Sequence, residues 1–300
     1  MLKPELLNNL ALKSPDTIFE NEPLKKYCSL GVGGEAEIFA EPDNLDDLKK
    51  IFVYAVKNSR VHILGGGSNL IFADGLIKGV ILSTRRLNNI TWLNDRVAEI
   101  EAGYKLAQLL KILPEKNLGG LEFAIGIPGT IGGALAGNAG TVDHGVCDLV
   151  SEIKTIESNG GIKIWRAGEF KYAYRKNFLI DENYQRLIIS CTFEFRPARS
   201  EDPDDIKKFM ARRKNQPLGV KTAGSTFKNP ANDSAGRLLD IAGCKNFSEG
   251  GACISDKHAN FIVNFNNASA KDVINLINKC RERVFDFSGI NLEPEIKIIS

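Results

Sequence analysis

Residues Gly119–Gly140 read GGLEFAIGIPGTIGGALAGNAG, and eight of these 22 positions are glycine, against 28 in the 300-residue chain. Glycine gathers where the backbone must take a positive φ or let another group come close. Apart from Glu122, and until Asn138 and Thr141, few side chains here can do chemistry, so the useful groups are backbone N–H donors. Such a loop suits an anion such as phosphate. A second run supports this reading. Val61–Leu64 (VHIL) has a short β-branched strand pattern and breaks into Gly65, Gly66, Gly67, Ser68 and Asn69. Two such loops point to a diphosphate or a dinucleotide. No G-x-G-x-x-G follows a strand and no G-x-x-x-x-G-K-[ST] occurs, which excludes the Rossmann and P-loop readings.

Around these loops the elements alternate irregularly. After a short N-terminal arm with helical character, Ala36–Ala40 reads as a strand, and Asp43 or Asn44 caps a helix carrying Leu45, Leu48, Ile51, Phe52, Ala55 and Val56 on one face. Strands at Val61 and at Val80–Leu82 follow with no room for a crossover helix, which argues again against a doubly wound half. Val97–Ala102 reads as a strand and Leu106–Leu113 as a helix ending near Pro114. Strand patterns then dominate at Ile153–Ile156, Ile162–Trp165 and Leu187–Phe195, the first two joined by a hairpin-like Ser158–Gly161. The expected class is α+β. Apolar residues vanish over Arg196–Asp205, which places a domain boundary near residue 200, giving residues 1–200 and 201–300. Asp202–Pro203 opens a helix with Ile206, Phe209 and Met210, Ser269 with Asp272 forms a capping box for a helix through Val284, and Phe261–Phe265 and Ile296–Ile299 read as strands.

Composition narrows the class. The 39 basic and 37 acidic residues leave a net charge of +2, which supplies no field for wrapping nucleic acid or lying on an anionic membrane. No run reaches the length of a membrane span, and the N-terminus lacks the apolar core of a signal peptide. The six cysteines and three histidines are scattered without metal-ligand spacing, so no metal site is expected and the cysteines read as buried free thiols in a reducing compartment. The expected location is the cytoplasm.

Three places hold polar residues that packing alone does not explain. Tyr174 and Arg175 lie in YAYRKNF. Ser225, Lys228 and Asn229 lie in AGSTFKNP, bracketed by glycine and proline. Glu293 and Glu295 flank a proline where the last strand begins, whose alternation should turn one of them inward.

GGGSN, GIPGTIGGA followed by NAG, YR, AGSTFKNP, SDKHANFIVN and PEIKII occur in this order over roughly Leu30–Ile299. The chain thereby closely resembles the UDP-N-acetylenolpyruvoylglucosamine reductases, the MurB flavoenzymes of peptidoglycan synthesis, in their shorter subtype. The resemblance implies an FAD-binding domain of the vanillyl-alcohol-oxidase (PCMH) type followed by a smaller α+β substrate-binding domain. It implies noncovalent FAD on Gly65, Gly66, Gly67, Ser68 and Asn69 and on Gly126, Pro128, Gly129, Thr130, Gly132, Gly133 and Asn138, with NADPH as hydride donor and UDP-N-acetylglucosamine enolpyruvate as substrate. Arg175, Ser225 and Glu295 match the catalytic arginine, serine and glutamate of the family, and Tyr174, Lys228 and Asn229 fall to substrate binding.

The chemistry asks for these residue types. Hydride delivered to the terminal carbon of an enolpyruvyl ether pushes negative charge into its carboxylate, and a guanidinium is a preorganised fork for that group. The adjacent carbon then takes a proton, which a serine hydroxyl can supply to so basic a carbon. Glu295 either positions the substrate carboxylate when protonated or orients the arginine and a water when ionised. Four positions depart from the family pattern: Ser29, Gly31, Gly137 and Asn177. His258 reads as a structural hydrogen-bond partner. Two competing readings are a flavin oxidase, with His62 as a candidate covalent tether, and a catalytically silent flavin-binding module.

Overall fold

In a computed structural model, residues 10–180, 186–200 and 202–300 are described; the helical reading of the extreme N-terminus lies largely outside them. The chain divides into two compact units. The first takes the described part of Met1–Glu22 together with Ala36–Gly66 and Lys78–Met210; the second takes Pro23–Glu35, Gly67–Ile77 and Ala211–Ser300. The sequence reading cuts the chain once, near 200. The observed units interleave, because two short segments of the N-terminal half pair with C-terminal strands and helices.

The first unit holds a four-stranded sheet ordered Ile18–Pro23, Glu35–Ala40, Leu76–Ser83, Val61–Leu64. The helix Leu45–Asn58 starts where the Asn44 side chain accepts from the Asp47 amide, and it buries Leu48, Ile51, Phe52 and Ala55. These join Ile38, Val80 and Leu82 in one apolar cluster. Val61–Leu64 and Val80–Ser83 run parallel, in register from Val61↔Val80 to Leu64↔Ser83. A parallel pair normally needs a helical crossover; here the connection Gly67–Ile77 belongs to the second unit instead. A five-stranded antiparallel sheet, ordered Ile162–Arg166, Val150–Glu157, Arg186–Glu194, Val97–Glu101, Ile90–Trp92, forms the other layer. Its inner face packs with the helix Leu106–Glu115 around Ile100, Leu109, Leu113, Ile153 and Phe193. Pro114 sits inside the last turn of that helix and ends it one residue later.

Part of the glycine stretch is not loop: Ile131–Ala136 forms a short helix, with Thr130 as its N-terminal flanking residue. Alanine, leucine and isoleucine between the glycines supply enough apolar contact, Ile131 and Leu135 being fully buried.

The second unit holds a four-stranded antiparallel sheet ordered Thr222–Ser225, Phe261–Asn264, Ala252–Ile254, Ser248–Glu249, with the helix Ala270–Ser288 packed on its last two strands and against the helix Ala235–Ile241. The long helix carries the expected reciprocal Ser269–Asp272 cap and stops at Gly289, whose φ of +71° suits glycine. Asp74 reaches this helix start, its carboxylate accepting from the amides of Ala270 and Lys271 at 3.0 and 2.9 Å. Leu70–Phe72 pairs in parallel with Lys297–Ile299. These bonds hold Gly67–Ile77 in the second unit. All six cysteines are free thiols, five of them buried.

Candidate active site

In the first unit the two glycine runs pack directly on one another. A Cβ on Gly65 would fall 2.7 Å from the Thr130 hydroxyl, and one on Gly66 would fall 2.5 Å from the Gly129 Cα. Neither distance is open to a real side chain, so only glycine allows this approach. Gly126 and Gly129, at φ +75° and +114°, bracket Ile127 and Pro128. Backbone bonds then stitch the segment to the exit of the Val97–Glu101 strand: Leu106 N to Gly129 O at 3.1 Å, Ile131 N to Tyr104 O at 2.9 Å and Gly132 N to Ala102 O at 2.8 Å. The space beside Gly133 stays open, a Cβ there meeting only the Thr130 hydroxyl at 3.6 Å. Thr130 is 4% exposed, and its hydroxyl has no hydrogen-bond partner among the described residues. A buried hydroxyl of this kind costs free energy unless something else satisfies it. A crowded all-backbone cradle with one unsatisfied hydroxyl fits the pyrophosphate-bearing FAD that the sequence implies.

Arg175 belongs to the same unit. Tyr172–Ala173 pairs with Lys176–Asn177, so Tyr174 and Arg175 form a two-residue turn. Arg175 adopts φ +56°, the left-handed region that a long side chain normally avoids. Its Nη1 donates to the Gly140 carbonyl at 2.8 Å, and its guanidinium lies 5.1 Å from the centre of the Tyr174 ring. A strained backbone with a braced cation is how a fold presents a group for use. Asn138, which the sequence reading gives to the cofactor, also holds this hairpin: its Nδ2 donates to the Ala173 carbonyl at 3.0 Å while its Oδ1 accepts from the Cys147 amide at 3.1 Å. Asn177 is buried behind the turn, accepting from the Leu179 amide at 3.0 Å.

His62 lies half-buried on the Val61–Leu64 strand, where burial and then Arg60 hold its pKa below the usual histidine range.

In the second unit Ser225 ends the strand Thr222–Ser225 opposite Phe261, just after Gly224 at φ +78°. The next residues are clamped. Asn260, 4% exposed, accepts from the Phe227 amide at 2.9 Å and donates to the Phe227 carbonyl at 2.8 Å, and its own carbonyl accepts from the Thr226 amide at 2.8 Å. The His258 Nδ1 accepts in turn from the Asn260 amide at 3.2 Å, and burial holds the imidazole pKa below the usual histidine range. On the other side Glu295 N donates to Thr226 O at 2.8 Å and Lys228 N to Glu293 O at 2.9 Å. Glu295 is half-buried while the Glu293 side chain is 69% exposed; residues two apart share one face of a strand, so this difference arises in the irregular backbone around Pro294, before the strand Lys297–Ile299, and not from strand alternation.

The remaining expected contacts have protein partners. Lys228 Nζ meets Glu293 Oε1 at 2.5 Å, and Asn229 Oδ1 accepts from the Ala235 amide at 3.0 Å. Asn69 Nδ2 donates to the Glu295 carbonyl at 3.2 Å and its own carbonyl accepts from the Lys297 amide at 3.1 Å, so Asn69 seats the Glu295–Lys297 segment. The Gly67 carbonyl accepts from the Ser29 amide at 2.9 Å, and Ser68 is half-buried beside it in sequence. Ser29 Oγ donates to the Thr222 carbonyl at 2.7 Å. Asn260 is a residue the sequence reading quotes within SDKHANF but gives no role; its signal there is an asparagine entering a strand.

Residues 36–164 match the family described as FAD binding domain, and residues 216–299 match the C-terminal domain of UDP-N-acetylenolpyruvoylglucosamine reductase. A UDP-N-acetylenolpyruvoylglucosamine reductase of Geobacter metallireducens is 37% identical over 304 residues, covering 99% of this chain and 99% of that one. The chain belongs to the UDP-N-acetylenolpyruvoylglucosamine reductase family. A reductase of this family from Listeria welshimeri is 38% identical over 98% of this chain and 99% of its own. The crystal structure of the reductase from Thermus caldophilus superposes with a TM-score of 0.80 at 29% identity, covering 94% of this chain and 98% of that one. Among the described residues, no helix is long and apolar enough to cross a membrane.

Proposed function

We infer that this chain is an FAD-dependent oxidoreductase that uses NADPH to reduce UDP-N-acetylglucosamine enolpyruvate to UDP-N-acetylmuramate. The observation that carries the reading is the contact of Gly65 and Gly66 with Gly129 and Thr130, a glycine-only approach beside a buried unsatisfied hydroxyl, in a chain that matches the reductases end to end. We assign most of the FAD contacts and Arg175 to the first unit, and Ser225 and Glu295 to the second.

FAD, when bound, accepts a hydride from NADPH and returns it to the terminal enolpyruvyl carbon. The cradle amides and the Thr130 hydroxyl would hold the cofactor. Arg175, raised on its strained turn, would take the substrate carboxylate as charge flows into it, a contact that strengthens towards the transition state. Ser225 would donate the proton to the adjacent carbon. Glu295 would act near Ser225, because the hydrogen bond from its amide to the Thr226 carbonyl seats the two residues on paired segments of the second unit. Tyr174 would stack beneath the arginine and limit its rotation. The substrate, a nucleotide sugar, and a chain with six free cysteines together support a cytoplasmic location.

The decisive assay follows NADPH oxidation by the purified, yellow protein with and without UDP-N-acetylglucosamine enolpyruvate. Substrate-dependent oxidation of NADPH with stoichiometric product is the expected result. Oxidation that consumes oxygen and ignores the substrate would replace the reductase reading with an oxidase.

A further inference from the structure

Two adjacent arginines follow the strand Leu76–Ser83, and they have different fates. Arg86 is exposed and meets Glu41 at 3.4 Å on the surface. Arg85 turns inward to the first glycine loop: its Nε donates to the Gly65 carbonyl at 2.8 Å and its Nη2 to the Gly66 carbonyl at 3.1 Å. The parallel register explains why. Leu64 pairs with Ser83, the Thr84 amide donates to the Leu64 carbonyl at 3.0 Å, and continuing the pairing brings Arg85 beside Gly66. The base of Arg85 is also held. Its amide donates to the Ser83 hydroxyl at 3.3 Å, and that buried hydroxyl donates to Glu41 at 2.8 Å.

One planar fork on two consecutive carbonyls has a geometric consequence. In a trans peptide the N–H points opposite to the C=O. The carbonyls of Gly65 and Gly66 share their peptides with the amides of Gly66 and Gly67, so both amides face away from the guanidinium, to a common side. Among the described residues neither amide donates to another backbone group. A pair of amides aimed one way is an anion-binding concavity. Without a brace, consecutive glycines would sample many orientations and lose that arrangement, because glycine has the freest backbone.

We propose that Arg85 is a positioning residue for the cofactor: by chelating the Gly65 and Gly66 carbonyls it presets the two following amides to receive the FAD pyrophosphate. This rests on the FAD reading above. In this role the Arg85 fork acts through the two carbonyls and does not itself need to touch phosphate. Its value is preorganisation, which raises affinity by removing the ordering cost from the binding step.

The test titrates FAD into apoprotein prepared from wild type, Arg85→Met and Arg85→Lys, following flavin fluorescence, alongside the melting temperature of each apoprotein and phosphorus NMR of the bound cofactor. Losing two charge-assisted bonds that set the loop should weaken FAD binding by about tenfold to a hundredfold in Arg85→Met. The apoprotein melting temperature should stay close to wild type, and the pyrophosphate resonances should shift. Arg85→Lys keeps the charge but lacks the fork, so it should fall between the other two and stand in if Arg85→Met does not fold. Wild-type affinity in both variants, or an affinity loss matched by an equal loss of apoprotein stability, overturns the proposal. Wild-type apoprotein that takes up no FAD refutes the cofactor reading instead, and this inference with it.

Discussion

The backbone amide of Glu295 donates to the carbonyl of Thr226 at 2.8 Å, which seats the glutamate of PEIKII beside the residue that follows Ser225. The pairing continues through a bridge between Phe227 and Pro294 and the Lys228–Glu293 backbone bond, so the AGSTFKNP loop and the last strand form one short antiparallel ribbon. Ser225 and Glu295 are therefore positioned within the second unit by backbone pairing.

Replacing Ser225 with alanine should leave reduction of the flavin by NADPH nearly intact and slow its reoxidation by the enolpyruvyl substrate. The loss expected on deleting a general acid is on the order of a hundredfold to ten-thousandfold. Stopped-flow absorbance separates the two half-reactions, and normal reoxidation in Ser225→Ala would mean that another group donates the proton.

Arg175→Lys keeps the charge and loses the planar fork. Turnover in the oxidative half-reaction should fall about a hundredfold to a thousandfold at saturating substrate, with the flavin still bound. A surface arginine would tolerate the change, so near-normal single-turnover rates would remove Arg175 from the mechanism.

Gly66→Ala places a Cβ 2.5 Å from the Gly129 Cα, where only backbone movement relieves the clash. The two glycine runs should separate and FAD content should drop, measured as the absorbance ratio of flavin to protein. Full flavin occupancy in this variant would show that the cradle lies elsewhere.

Asn260→Ala strands the buried amide and carbonyl of Phe227. Unsatisfied buried groups of this kind cost about 1 to 3 kcal/mol each, so denaturant unfolding should show a clear loss of stability. The Ser225 step should slow as well, and a variant with unchanged stability would make the clamp incidental.

Acid should weaken the first unit through Asp202. The Arg196 guanidinium, bonded to both carboxylate oxygens at 2.9 and 2.7 Å, is the main cause of its pKa falling to about 2. A carboxyl with a depressed folded pKa stabilises above its unfolded value near 3.8 and loses that contribution as pH falls towards about 2. Asp202→Asn should flatten the stability profile across that window while lowering stability at neutral pH; an unchanged acid limb would exclude the pair.

Local signals were strong wherever one residue type answers one backbone demand. The glycine runs, the Asn44 cap and the Ser269–Asp272 box are written in short spacings, and the structure carries each of them. Where several residues share a type, local pattern did not discriminate. Arg85 and Arg86 look alike in STRRL, and only the Leu64↔Ser83 register turns one inward. The helix Ile131–Ala136 was hidden by its glycines, because their low helix propensity outweighs, in a short window, the tertiary packing that buries Ile131 and Leu135.

The sequence by itself determined the α+β class, the two glycine loops and, through its motifs, the family. Tertiary structure decided which distant segments share a unit: Asp74 on the helix at Ala270, Leu70–Phe72 on Lys297–Ile299, and Glu295 on Thr226. Periodicity reports which face of an element is apolar, but pairing partners and register are chosen by the whole chain, when buried faces and backbone bonds must be satisfied together.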